Sequence, residues 1–284
     1  MPLDALSPTA AYSTRKLRTA YGGSCLRVQR ASDSTELDIG FAGNALDTAS
    51  LLTFCAATDG NVTTWYDQSG SGRDMTQATF VNMPEIVVAG SLVTVNSNPA
   101  VNFTPFNQPF LQSSVNLSSF IGASAWTAFG SVVAASGRNA GGNFYNTRGV
   151  FMDLTDGSWG GGFDSVTPAL IMGYTDNGPS NKNASVTIAG FPLTTVACMR
   201  WDKTTLKAYS NGGTGTSIGA TNNIYSANHH LVLGSTYSAP SVGGTHDGQI
   251  LEVIIFDTQL SASDTNTLAA LLATYLGSTW TDIS

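Results

Sequence analysis

Charge is what this chain has least of. Only 11% of its 284 residues are Asp, Glu, Lys or Arg, and 12 basic residues face 19 acidic ones for a net charge of −7. No basic cluster exceeds STRKLR at residues 13–18, so the electrostatic footprint of a nucleic-acid binder is missing. A net acidic surface also opposes adsorption to anionic membranes. There is no run of 18 apolar residues, which argues against a membrane-spanning helix. The opening MPLDALSPTAAYSTRK lacks a basic segment followed by an apolar one, so no signal peptide is expected. Cysteine is scarce and scattered: Cys25, Cys55 and Cys198 form no metal-binding spacing and are expected as buried, reduced thiols. A GxSxG elbow and a GxxxxGK[ST] loop are both absent, which removes the usual signatures of serine hydrolases and phosphate-binding folds.

Gly is abundant instead, at 30 residues, and apolar residues make up 42% of the chain, enough for a globular core. Ser7-Pro8 reads as a helix start, with TAAYSTRKLRTAY following and Gly22-Gly23 stopping it. SCLRVQR (24–30) alternates as a strand with Leu26 and Val28 on one face, and LDIGF (37–41) reads as a second. Asp47 is placed to cap a short helix, TASLLTFCAA, with Leu51, Leu52 and Cys55 on one side. NVTTWYD (61–67) is a strand leading into a dense polar segment, WYDQSGSGRDMTQA. After residue 80 strand-like runs recur between turn residues: PEIVVAG, PAVNFT, WTAFGSVVAA, RGVFMDLTD, PALIMGYTD, ASVTIAG, TTVACMRWD, TLKAYSNG, HHLVLGST and QILEVIIFD. Ser261 caps a last helix, with Leu268, Leu271, Leu272 and Tyr275 on one stripe, and Gly277 ends it. The expected fold is all-β, a concanavalin A-like β-sandwich (jelly roll) with peripheral N-terminal and C-terminal helices. It is read as a single domain, 1–284: a cap over 1–80, the main sandwich over 81–260, and the C-terminal helix and tail over 261–284.

Candidate sites follow from residue type. Trp159 among glycines, with Asp153, Asp156 and Asp164 around SWGGGF, has the composition of a sugar cleft in which an indole stacks on a ring and acids accept from hydroxyls. A glycine-rich hairpin with a core Trp fits the same residues. Tyr237 is a further ligand-binding candidate. In WYDQSGSGRDMTQA, Gly70 and Gly72 suit a tight reversal, Asp67 and Ser69 suit acceptance of backbone N–H groups, and Arg73 and Asp74 are placed to pair across the loop. With Gln68, these residues are expected to form a structural corner. His229-His230 and His246-Asp247 invite a metal reading, but adjacent side chains on a strand point to opposite faces, so solvent or turn histidines are expected. Asp176, Asn177, Asn181 and Asn183 offer oxygens without a calcium-binding spacing. No metal and no cofactor is expected.

The blocks STRKLRTAYGGSCLRVQRASDSTELDI and FCAATDGNVTTWYDQSGSGRDMTQA resemble the catalytic domain of α-L-arabinofuranosidase B, the family 54 glycoside hydrolases. They equally resemble phage and prophage virion proteins with the same start. DGQILEVIIFDTQLSASDTNTLAALLATYLG is similar to the closing strand and helix of concanavalin A-like (laminin G-like) domains. The hydrolase resemblance implies a Glu nucleophile in a Met-Glu-Ala-type strand, best matched by Met152-Asp153. It implies an acid/base Asp shortly after a strand reading LVLG, where this chain has Ser235 to Ser238. It implies a vicinal Cys-Cys pair, absent from VVAASGRNAGGNF, and a disulfide from Cys55 whose partner position falls near Gly60. The expectation drawn is a non-catalytic, lectin-like structural protein of a tailed phage virion: a surface decoration, fibre or tail component. Its partners would be other virion proteins and/or cell-surface glycans, in a homo-oligomer or larger assembly, with no nucleic acid and no membrane insertion. The alternative is an arabinofuranosidase-like glycoside hydrolase with Asp153 as nucleophile and Asp247 as acid. A third is a capsid or tail cement protein without ligand.

Overall fold

The computed structural model describes residues 1–103, 108–121, 125–137, 148–153, 159–165, 168–175, 181–221, 230–235 and 245–284. Its centre is the strand Trp126–Ala134, paired antiparallel with Leu193–Trp201 on one side and Gly248–Phe256 on the other. Both faces of this strand are buried. Trp126, Ala128 and Val132 enter one core, and Phe129 on the other face enters a second. That double burial explains why WTAFGSVVAA reads as a continuous apolar run.

Gly248–Phe256 also pairs with Ala10–Ser13 and with Val101–Phe103. From Val101–Phe103 the ladder passes through Glu85–Val88 and Gly60–Trp65 to Leu26–Arg30 and Glu36–Ile39. The facing layer runs from Leu111–Asn116 through His230–Leu233, Arg148–Asp153, Trp159–Asp164 and Ala169–Thr175 to Asn181–Thr187. All of these ladders are antiparallel and join into one large, nearly closed sheet, the β-sandwich expected of the alternating pattern.

Between the layers lies an aromatic core. Trp126 sits 5.6 Å from Trp159, 5.8 Å from Trp201 and 6.2 Å from Tyr174, edge-on to the first and last. A second core lies under the helix α2 (Ala262–Leu276), where Leu268, Ala269, Leu272, Ala273 and Leu276 cover Phe129, Val196, Leu251 and Ile254. Ser261 accepts from Asp264 N at its start, and Gly277 at φ 81° ends it, as the sequence signals require. Helix α1 (Thr48–Cys55) is capped by Asp47, which accepts from Ser50 N. Its buried residues are Leu51 and Cys55, while Leu52 turns outward. No helix among the described residues is long and apolar enough to cross a membrane.

One expected element is different. The segment after Ser7-Pro8 is not a helix: Ala10–Ser13 is a strand, buried on both faces, in register with Glu252–Ile255. Local helix signals lose here to an inter-strand ladder and two buried faces, which a propensity reading does not contain. Two strands carry little sequence signal, WGGGFD at Trp159–Asp164 and GTGTSIG at Gly213–Gly219. One glycine in each is required by close approach. A Cβ on Gly161 would lie 2.6 Å from Met172 Cγ, and one on Gly215 would lie 2.1 Å from Ser185 O.

Candidate functional site

The dense polar segment is a hydrogen-bonded hub. Asp67 is buried, and its Oδ1 accepts from Ala11 N and Ser69 N, both at 2.9 Å. Its Oδ2 accepts from Ser69 Oγ at 2.7 Å and Arg73 N at 3.1 Å. Gln68, also buried, accepts from Leu17 N at 2.8 Å and donates to Ser13 O and Arg15 O, each at 3.0 Å. Ser69 Oγ donates to Thr9 O. Gly70 and Gly72 take φ of 92° and 68°. Arg73 and Asp74 do not pair with each other. Arg73 donates to Thr9 O and stacks over Phe120, and Asp74 accepts from Asp67 N at 2.8 Å. Burial raises the Asp74 carboxyl above its ordinary value. The segment thus satisfies the backbone of residues 9–17 and fixes the Ala10–Ser13 strand on the sheet. With these valences occupied, little polar capacity is left there for a substrate.

The other candidates divide between two ends of one hairpin. In the Arg148–Asp153 and Trp159–Asp164 pair, Met152 faces Gly160 and Arg148 faces Phe163. Asp153 and Trp159 therefore sit at one end, and Asp164 lies five residues along its strand, about 17 Å away. A single cleft cannot use all three. The Trp159 indole is fully buried between Phe151, 5.5 Å away, and Trp126. It is a core residue and not a surface platform, because closing the aromatic cluster buries more apolar area than an exposed ring could. Asp156 and Tyr237 lie outside the described residues, as do His229, Asp176 and Asn177. Asn181 and Asn183 lie on the Asn181–Thr187 strand.

The far end gathers a different set. Ser136 Oγ donates to Asp247 Oδ2, and Ala135 N donates to Asp247 O. Arg148 donates to Gly137 O at 3.2 Å and to Thr245 O at 3.0 Å. Asp164 is buried beside Gly137, whose Cβ, if present, would stand 2.6 Å from the Asp164 carbonyl carbon. Asp164 and Asp247 thus border adjacent residues, Gly137 and Ser136, a relation that only the register reveals. His246 is not a solvent or turn residue. It is wholly buried, with its ring 6.1 Å from Phe163 and Nε2 3.0 Å from Val133 O, which fixes the Nε2–H tautomer. Burial lowers it to about 4. His230 is half-buried with Nδ1 3.0 Å from Ser113 O. No group of three metal-ligating side chains occurs among the described residues.

Asp153 and Asp247 do not share a level. Asp153 pairs with Leu231, whereas His246 N bonds Gly234 O, three residues further along that strand and about 10 Å away. A retaining glycosidase needs its two carboxyls about 5–5.5 Å apart. Arg148 and Ser136 were not legible as site residues in the sequence. A lone Arg at the head of a strand is the only trace they leave.

Comparison with known proteins narrows the choice. Residues 5–99 match the family model for the catalytic domain of α-L-arabinofuranosidase B. The α-L-arabinofuranosidase B of Emericella nidulans is 46% identical over 72 residues, covering 24% of this chain and 14% of that protein. Two solved structures share the fold at 18% identity and a TM-score of 0.63. One is an arabinofuranosidase complexed with arabinofuranosyl-α-1,2-xylobiose, covering 93% of this chain and 62% of that one. The other is a Glu-to-Gln mutant of a GH54 α-L-arabinofuranosidase soaked with 4-nitrophenyl α-L-arabinofuranoside, covering 98% and 64%. The chain spans less than two thirds of either. What the N-terminal third is similar to is the catalytic domain of a glycoside hydrolase. This corrects the expectation of a non-catalytic, lectin-like virion protein, which weighed missing catalytic matches over a segment whose relatives are enzymes.

Proposed function

We propose that this chain is the catalytic unit of a glycoside hydrolase acting on α-L-arabinofuranosides. The observation that carries the proposal is the match of residues 5–99 to a catalytic-domain family. The shared sandwich over nearly the whole chain supports it.

In the retaining chemistry such a domain would use, a carboxylate attacks the anomeric carbon as an acid protonates the departing oxygen. Water then resolves the glycosyl-enzyme. We assign the nucleophile to Asp153, which closes the strand running beside His230–Leu233. Asp247 lies too far along the sheet to act with it. Hydrolysis of 4-nitrophenyl α-L-arabinofuranoside tests this. Asp153→Ala should lower kcat by on the order of 10³-fold or more. Full activity in Asp153→Ala would overturn the assignment.

A further inference from the structure

A row of amide and carboxylate side chains crosses six strands on one face of the sheet. Direct register partners share a face. Glu36 faces Gln29, Gln29 faces Asn61, Asn61 faces Glu85, Glu85 faces Asn102, and Asn102 faces Gln249. The contacts confirm the alignment. Gln29 Nε2 donates to Glu36 Oε1, Asn102 Nδ2 donates to Glu85 Oε2, and Gln249 Nε2 donates to Asn102 Oδ1.

The row is interrupted at its middle. Asn61 is only 5% exposed, yet its Nδ2 has no acceptor in the protein. Asn61 borders a pocket of about 160 Å³ lined also by Asp59, Glu85, Asn102, Phe80 and Val81. At about 30 Å³ per water, that volume equals roughly five waters, the scale of a single sugar ring. Asp59 uses Oδ1 on Ala89 N, and Glu85 uses Oε2 on Asn102, so each presents its second oxygen as an acceptor. At the rim, Phe80 is 46% and Val81 57% exposed. An orphaned donor, two carboxylate acceptors and an apolar flank form a set that matches one ligand chemistry. Ring hydroxyls donate to the carboxylates and accept from the amide, while C–H groups lie on the apolar side. A cation would be opposed by the Asn61 amide donor and would gain nothing from Phe80.

We propose that this pocket binds one neutral sugar residue, remote in sequence and strand from Asp153, and that the polar row on either side continues as a track for the rest of a glycan.

The test uses the intact chain and two neutral pentoses, L-arabinose and D-xylose, titrated with backbone amide NMR. The expected result is saturable shifts confined to residues 59–61, 80–85 and 102. Glu85→Gln should weaken the binding by about tenfold, as should Phe80→Ala, which removes a side chain that is 46% exposed. Aryl arabinofuranoside turnover should be unchanged in both variants. Conversely, Asp153→Ala should still bind pentose in the pocket, so loss of the hydrolase assignment leaves this proposal standing. Absence of saturable pentose binding would overturn it. So would binding indifferent to both variants, or calcium chloride shifting these amides where the pentoses do not.

Discussion

Asp67 resembles a catalytic acid by type, yet both its oxygens are engaged within the protein. Its two oxygens hold three backbone N–H groups and a hydroxyl. An amide has only one acceptor oxygen and sets an NH2 against the remaining donors. Asp67→Asn should therefore cost about 3 kcal/mol, measured by urea unfolding, while kcat of the folded fraction stays near wild type. A collapse of kcat without loss of stability would move Asp67 into the catalytic machinery. His246 carries a pH signature. Its folded value of about 4 lies below the ordinary 6.5, so the unfolded chain takes up the proton first as pH falls. Its contribution is intact above about pH 6.5 and declines toward pH 4, by about 3 kcal/mol in full. Unfolding free energies of wild type and His246→Gln at pH 7 and pH 5 should diverge less at the lower pH. A constant difference would contradict the account.

At the scale of elements, the strands were legible wherever β-branched and aromatic residues alternate, and both helices were legible from their caps at Asp47, Ser261 and Gly277. What was hidden depends on contacts distant in sequence. Ala10–Ser13 becomes a strand because Glu252–Ile255 supplies its ladder, and WGGGFD becomes one because it is laddered on both sides, with Met172 leaving no room for a Cβ at Gly161. The site divided in the same way. The turn chemistry of Gly70, Gly72 and Asp67 was visible locally. The burial of Trp159, the placing of Asp164 and Asp247 beside Gly137 and Ser136, and the row through Asn61 and Glu85 exist only in the register. The junction of helix α1 with the Gly60–Trp65 strand gives an element-level test. A Cβ on Gly60 would lie 2.7 Å from Cys55 Sγ. Gly60→Cys should therefore oxidise to a disulfide with Cys55, leaving one alkylatable thiol, Cys198, besides Cys25 under denaturing conditions. The short loop it closes limits the gain to about 2 kcal/mol. Four free thiols after oxidation would contradict the geometry.

At the scale of the whole molecule, the sandwich places the N-terminal block, the proposed nucleophile and the proposed sugar pocket on one continuous ladder. The Asp67 hub anchors the first strand to the sheet's centre. The Asp153 hairpin lies in the facing layer, and the pocket at Asn61 lies where the first strands rejoin Gly248–Phe256 through Val101–Phe103. That arrangement fits an enzyme that holds a glycan at one place and cleaves it at another. The most direct test is the release of 4-nitrophenol from 4-nitrophenyl α-L-arabinofuranoside by the purified chain, with Asp153→Ala as control. The account predicts saturable turnover by the wild type that the variant lacks. Wild-type protein that is folded yet no faster than buffer would contradict it.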